Sequence, residues 1–393
     1  MRGEFRALYV HVPFCAAKCD YCAFYSIPAA STELRSAYLV RVSDQLAEAA
    51  GQCAALTTVY VGGGTPSVLT PDELDALLTM LHAHVSLAEG AEFTVECNPE
   101  SLTPDKVAIL ARHGVNRVSL GVQSFEPRLR AVIGRRTSLA GLDEALAALR
   151  AGGIGNIGMD LIYAIPGETL EDWRADLRRA CEAGVRHLST YELTVEEGTR
   201  LGKRQRAEGG GQKSEGKRQK AKGKRQKAEG KGDSAEELAV AMWEAAEEVA
   251  GEFGLRRYEV SNLAQPGFEC RHNDAVWHGA TYLGVGPAAS SFDGEVRWTN
   301  PADLGAWLAG APPVEDPLPP EARAAEVLGF GLRTVRGWAR EEFLGRTGFD
   351  YAELRRQALA ELAADGLLEM SGDVLRPTRR GLLFADRVAR RLL

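Results

Sequence analysis

No stretch of the 393 residues approaches the roughly 18 consecutive apolar residues of a membrane-spanning helix. The opening Met1-Arg2-Gly3-Glu4-Phe5-Arg6 has no apolar core of the signal-peptide kind, so a cytoplasmic protein is expected. Cysteine is sparse: seven in a chain this long make no disulfide scaffold, and in a reducing compartment clustered cysteines point to metal or catalysis. Positive charge is also short, with 47 Lys and Arg against 54 Asp and Glu for a net of −7. The balance is uneven, because residues 202–233 hold 12 basic and 4 acidic residues, +8, which leaves −15 on the rest. A body that acidic is a poor general binder of nucleic acid, and no nucleic-acid partner is expected. What is present is an ordinary globular composition, 45% hydrophobic and 26% charged, with length for two or three domains.

The first two hundred residues alternate short apolar runs with helix signals. The runs Leu8–Val12, Thr58–Val61, Phe93–Cys97, Arg117–Gly121, Gly158–Ile162 and His187–Leu193 predict strands. Thr70-Pro71-Asp72-Glu73, Thr103-Pro104-Asp105 and Thr169-Leu170-Glu171-Asp172 predict helix starts, each with a capping hydroxyl and an acidic first turn. Six such units in series imply parallel strands with right-handed crossovers. Polar or Gly-rich clusters follow nearly every strand, and a barrel gathers all strand ends on one face, so an incomplete six-unit barrel is expected rather than a doubly wound sheet.

Residues 202–233 interrupt this pattern with a repeated basic hexad, Gly-Lys-Arg-Gln-Lys-Ala at 216–221 and again at 223–228. A tract with almost no apolar residues buries no core and reads as a solvated insertion. A helix at Ala235–Gly251 and a strand at Arg257–Asn262 are expected beyond it. The tail resembles a small winged-helix domain; residues 351–393 carry 8 Arg and 6 acidic residues, which favours packing or protein contact over DNA. The expected domains are 1–201 (barrel), 202–233 (insertion), 234–315 (barrel extension) and 316–393 (winged-helix-like).

Cys15, Cys19 and Cys22 form a C-x3-C-x2-C array directly after the first strand. Three thiolates on one loop suit three irons of a 4Fe–4S cluster and leave the fourth iron open for a chelating ligand. Structural zinc needs a fourth ligand, which only a distant His11 or Cys53 could supply. Cys53, Cys97 and Cys181 are scattered and read as core thiols.

With these motifs the chain resembles the radical S-adenosylmethionine (SAM) superfamily. Within it, Tyr9-Val10-His11-Val12-Pro13-Phe14-Cys15, Tyr60-Val61-Gly62-Gly63-Gly64-Thr65-Pro66-Ser67, Glu96-Cys97-Asn98-Pro99, Gly121-Val122-Gln123-Ser124-Phe125, Met159-Asp160-Leu161-Ile162-Tyr163 and Pro166-Gly167-Glu168-Thr169 are similar to the oxygen-independent coproporphyrinogen III oxidase family. The resemblance implies a partial (βα)6 TIM-like barrel with a C-terminal α/β extension. It implies a 4Fe–4S cluster on Cys15, Cys19 and Cys22, and SAM contacts from Tyr9, Gly63, Gly64, Thr65, Glu96, Gln123, Arg135 and Asp160.

That family has an oxidative dehydrogenase branch and a haem-chaperone branch. The dehydrogenases carry a further cysteine two positions after the third, where this chain has Phe24, and a longer segment before the first. Both features favour the chaperone, with the dehydrogenase as the alternative and a nucleic-acid-associated radical enzyme as a third class. The chaperones' His-Asn-x-x-Tyr-Trp motif reads His272-Asn273-Asp274-Ala275-Val276-Trp277, with Val276 for the tyrosine, and a later Gly-x-Gly-Pro-x-Ala-His pattern ends on Ser290. The resemblance therefore implies haem as a third cofactor. His272 or Cys270 could ligate it, and Trp277 could pack on the ring. Haem-accepting proteins, membrane-associated respiratory proteins among them, an electron donor for the cluster and a second copy of the chain are the implied partners.

Overall fold

Five of the six expected strands extend beyond their apolar runs. The computed structural model describes residues 4–209 and 232–393. Six parallel strands follow in order: β1 (Phe5–Val12), β2 (Cys53–Gly63), β3 (Leu87–Cys97), β4 (Arg117–Gln123), β5 (Asn156–Tyr163) and β6 (His187–Glu192). A further parallel strand, β7 (Tyr282–Val285), lies on the free side of β1. Short antiparallel strands extend both edges, giving twelve strands in one open sheet, so the barrel is incomplete as expected.

The strands alternate. Leu8, Val10, Val59, Val61, Phe93, Val95, Val118 and Leu120 are buried against the crossover helices. Tyr60, Thr94, Arg117, Ser119 and His187 occupy the other parity. Parallel barrels of this kind usually fill their interior with branched aliphatics; here it is polar.

The crossover helices α1 (Thr32–Glu48), α2 (Pro71–His84), α3 (Pro104–Arg112), α4 (Leu142–Ala151) and α5 (Leu170–Glu182) begin largely where the sequence places them. Thr70 with Glu73 and Thr169 with Asp172 close reciprocal capping boxes. Thr103 makes no side-chain cap bond, so α3 relies on Pro104, whose ring fixes the first-turn φ and whose absent N–H needs no partner.

Three expectations are corrected. The single strand at Arg257–Asn262 is two, Arg256–Arg257 and Asn262–Ala264, folded back on each other because Tyr258 N–H donates to the Asn262 carbonyl (3.2 Å). The helix expected from Ala235 begins at Gly232, as α7 (Gly232–Glu252). The basic tract opens as helix, since α6 (Arg200–Gly209) runs into it. Arg204 there reaches Asp20 of the cysteine loop (3.3 Å) and the Val132 carbonyl (2.6 Å). Residues 210–231, which contain both full hexads, lie outside the described residues.

Beyond β7 the chain builds a separate core around Trp338, Phe343, Tyr351 and Leu362. Helices Pro320–Gly331, Arg340–Thr347 and Arg356–Ala364 pack with a three-stranded antiparallel sheet, a winged-helix-like arrangement. Gly331 is required there, because a Cβ on it would lie 2.1 Å from Trp338 Nε1.

Candidate functional site

The chain leaves β1 through Pro13 and Phe14 into the cysteine loop, which α6 and the segment after β4 brace from outside. Asp20 N–H donates to the Ile133 carbonyl (3.0 Å), and the Asp20 carbonyl accepts from Leu201 N–H (2.8 Å). Cys15, Cys19 and Cys22 line a cavity of about 330 Å³ at the C-terminal ends of the strands. Among the described residues no three His, Cys, Asp or Glu side chains converge tightly enough for a single metal ion. A cluster needs its thiolates spread around it rather than converging on one ion. Burial pushes the Cys15 and Cys22 thiols above their ordinary range, a penalty that coordination as thiolate reverses. Thr65 Oγ1 donates to Cys15 Sγ (3.7 Å), and Arg135 Nη1 to Cys19 Sγ (3.5 Å). This donor set fits a 4Fe–4S cluster with one open iron.

Beside the thiols the end of β2 is shaped for close approach. A Cβ on Gly62 would meet the Glu96 carboxyl at 2.7 Å, one on Gly63 the His11 ring at 2.4 Å, and one on Gly64 the Phe14 carbonyl at 2.6 Å. Gly63 also has φ +102°, which glycine adopts without strain. Glu96 accepts from Tyr60 OH (2.7 Å) and Gly63 N–H (3.0 Å). Burial pushes its carboxyl up to about 7, and neighbouring Asp160 adds to the rise. Asp160, raised likewise by burial, accepts from Ser119 Oγ (3.0 Å). Arg135 Nη2 donates to the Asn98 side chain (2.7 Å) and the Gly121 carbonyl (2.6 Å), while its Nε is buried without a partner. Gln123 holds φ +73°, a left-handed conformation costly for a residue with a Cβ, at the strand end where the chain turns.

The cavity thus brings together Gly63, Gly64, Thr65, Glu96, Gln123, Arg135 and Asp160 with the three cysteines. The fit to SAM is chemical: a carboxylate pair, a cationic fork and a cradle that only glycines permit. Tyr9 stands apart, one layer inward, with its hydroxyl on His11 Nδ1 (3.1 Å) and its ring 6.1 Å from that of Tyr60. Asn98 was not singled out from the sequence, yet its side-chain amide donates to Thr65 (3.3 Å) and its oxygen accepts from Arg135. Its signal lay in the Glu96-Cys97-Asn98-Pro99 run. Ser119, Tyr21 and Tyr191, also lining the cavity, carry no motif signal.

The structure places the expected haem ligands away from the cysteine cavity. His272 is buried in the opposite end of the barrel, with Nδ1 at 3.0 Å from Thr58 Oγ1 and its ring against Tyr60. Burial first, then the Arg117 charge, hold its imidazole down at about 3. Helix α8 (Arg271–Trp277) seats its first turn on Glu92, which accepts from Arg271 N–H (2.9 Å), His272 N–H (3.0 Å) and Cys270 Sγ (3.7 Å). Cys270 has no exposed surface. Trp277 packs on Phe330 (5.9 Å between ring centroids) and under Arg333, towards the C-terminal unit. In this packing His272 and Cys270 are buried, while Trp277 is half-buried with its Nε1 unpaired. Ser290, in place of the family histidine, bonds Thr299 (2.8 Å).

Fold and site together define a radical SAM protein, and the family model described as the radical SAM superfamily matches residues 9–180. The model described as the HemN C-terminal domain matches residues 318–384. The heme chaperone HemW of Mycobacterium tuberculosis is 36% identical over 100% of this chain and 96% of its own length. That of Lactococcus lactis is 31% identical over 98% and 96%, and that of Escherichia coli 30% over 97% and 96%. The chain belongs to the heme chaperone HemW family. In fold it is similar to the coproporphyrinogen III oxidase HemN of Escherichia coli, a radical SAM enzyme, with a TM-score of 0.78 at 19% identity over 100% of this chain and 91% of that one. No helix among the described residues is long and apolar enough to cross a membrane.

Proposed function

We propose that the protein is a haem chaperone: it carries a 4Fe–4S cluster on Cys15, Cys19 and Cys22, binds SAM beside it, and delivers haem to acceptor proteins without converting a porphyrinogen. The observation that carries this reading is Phe24. It stands where the dehydrogenases of the resembling family place a further cysteine, and it projects at the cavity rim with 69% of its surface exposed. A phenyl ring there can neither ligate iron nor donate a proton. It offers an apolar face to a planar ligand, and Tyr191 across the cavity is 44% exposed. The names of the relatives point the same way.

In this reading the Gly62–Gly64 edge and Thr65 take the amino acid end of SAM, and Glu96 takes its ribose hydroxyls. Arg135 and Asn98 hold the cysteine loop against the strand ends. When bound, the cluster supplies the open iron that chelates SAM. Haem-accepting proteins, an electron donor and a second copy of the chain are the proposed partners, and the proposed domains are 1–201, 202–233, 234–315 and 316–393.

The test is haem titration of the anaerobically reconstituted protein, followed by absorption. Saturable binding at about one haem per chain is expected. Replacing Phe24 by Ser should weaken it by about 10-fold, the worth of one aromatic contact. Binding that never saturates would remove the chaperone reading.

A further inference from the structure

The polar barrel interior holds a guanidinium with two unpaired nitrogens. Arg117, at the start of β4, is 2% exposed, and its Nε and Nη1 are buried without a partner. Thr94 Oγ1, on the adjacent position of β3, and His187 Nδ1, on β6, are orphaned in the same way. Buried polar atoms left unpaired are rare in folded chains, and several close together signal an ordered guest.

Gly158 of β5 marks the place. In the sheet register it lies between Ser119 of β4 and His187 of β6. A Cβ on it would lie 3.3 Å from Ser119 Oγ, 3.3 Å from His187 Nδ1 and 3.4 Å from Arg117 Nη2. Three polar atoms, two from β4 and one from β6, therefore surround space that any other side chain would fill. Ser119 already gives its proton to Asp160 Oδ1, so its oxygen offers only lone pairs to the guest. Arg117 offers only N–H groups. A guest that satisfies both must accept and donate, which water does and a halide does not.

The carboxylates nearby do not take its place. Glu92 of β3 is engaged by the first turn of α8, and Glu96 by Tyr60 and Gly63. From the remaining elements Arg117 faces Tyr60 of β2, Asp160 of β5, His187 of β6, Tyr258 beyond α7, and Cys270 and His272 at α8. His187 is held neutral by burial, and Cys270 shares the Glu92 carboxylate.

We propose that a water molecule over Gly158 is a resident ligand of Arg117, His187 and Ser119, and that through it Arg117 acts as a positioning residue for Asp160 in the SAM pocket. The second half rests on the assignment of Asp160 to that pocket. Arg117 also favours the ionised form of both Glu96 and Asp160, so its influence reaches the pocket by charge as well as by hydrogen bond.

The water is read directly from a crystal structure of the cluster-loaded protein at high resolution. A density peak within hydrogen-bond distance of Arg117 and Ser119 is expected; a dry interior overturns the site. The positioning role is read from SAM affinity by calorimetry between pH 6 and 9. Arg117→Met should bind about 10-fold more weakly, with its pH profile displaced upward by about one unit, and Arg117→Lys should recover most of both. Gly158→Ala keeps the charge but fills the water's place, so it tests the role even where Arg117→Met does not fold; about 10-fold weaker binding with unchanged cluster iron is expected. Wild-type affinity in Gly158→Ala, with Asp160→Ala impaired, overturns the positioning role. Wild-type affinity in Asp160→Ala as well places the fault in the pocket assignment.

Discussion

The two ends of the barrel contain the same kinds of residue and treat them in opposite ways. At the C-terminal mouth, Cys15, Cys19 and Cys22 are partly exposed, line a cavity and stand beside carboxylates raised by burial. At the N-terminal floor, Cys270, His272 and Glu92 are sealed by α8 and bonded to one another or to β2. The difference teaches that cysteine and histidine near a carboxylate do not make a site. Access to open space, with hydrogen-bonding capacity left over, does.

The largest effect that would break this contrast is on the cluster. Replacing Cys15, Cys19 or Cys22 by Ala should reduce bound iron from about four per chain to near none, while Cys270→Ala or Cys53→Ala should leave it unchanged. Iron and sulfide analysis after anaerobic reconstitution decides this, and loss of iron in Cys270→Ala would erase the distinction between the ends.

Next comes the floor as a structural device. Glu92→Ala would leave the Arg271 and His272 N–H groups without an acceptor under a closed helix. At about 1–3 kcal/mol for each unpaired group, stability should fall by about 2–6 kcal/mol in urea unfolding, with iron content retained in the folded fraction. Glu96→Ala and Asp160→Ala should do the reverse. SAM affinity should drop by roughly 5- to 150-fold, about 1–3 kcal/mol, with the cluster intact.

The smallest expected effect is an acid response. His272 is held at about 3, well below the ordinary imidazole value, so the unfolded chain takes up a proton that the folded chain refuses. Its contribution is present above about pH 6.5 and is lost as pH falls from there towards 3. At pH 5.5 the loss is about 1.4 kcal/mol, whereas raised carboxylates such as Glu96 and Glu168 act in the other direction. The wild type should therefore lose about that much more stability than His272→Gln between pH 7 and 5.5, and equal slopes would show that His272 is solvated.

Much of this architecture was legible because period and punctuation agree. Five of the six strands outgrew their apolar runs, as where Glu92 precedes the run that starts at Phe93. The cysteine loop, the Gly62–Gly64 edge and Glu96 were readable because each lies in a short local motif. Asn98 and Ser119 were not, since their roles come from pairing across strands. His272 is a related case: a motif names the residue, but only the seating of α8 on Glu92 fixes which way the imidazole faces. The turn at Tyr258–Ser261 was missed because Glu259 caps Ser261 N–H (3.0 Å) within a run that reads as continuous strand.

The central claim is that the mouth binds cluster, SAM and a porphyrin that it leaves chemically unchanged. The direct measurement is porphyrin product analysis after anaerobic incubation of the reconstituted protein with SAM, reductant and coproporphyrinogen III. With Phe24 in place of the further cysteine, coproporphyrinogen III should be recovered intact while haem still binds at about one per chain. Steady formation of protoporphyrinogen IX would contradict the account.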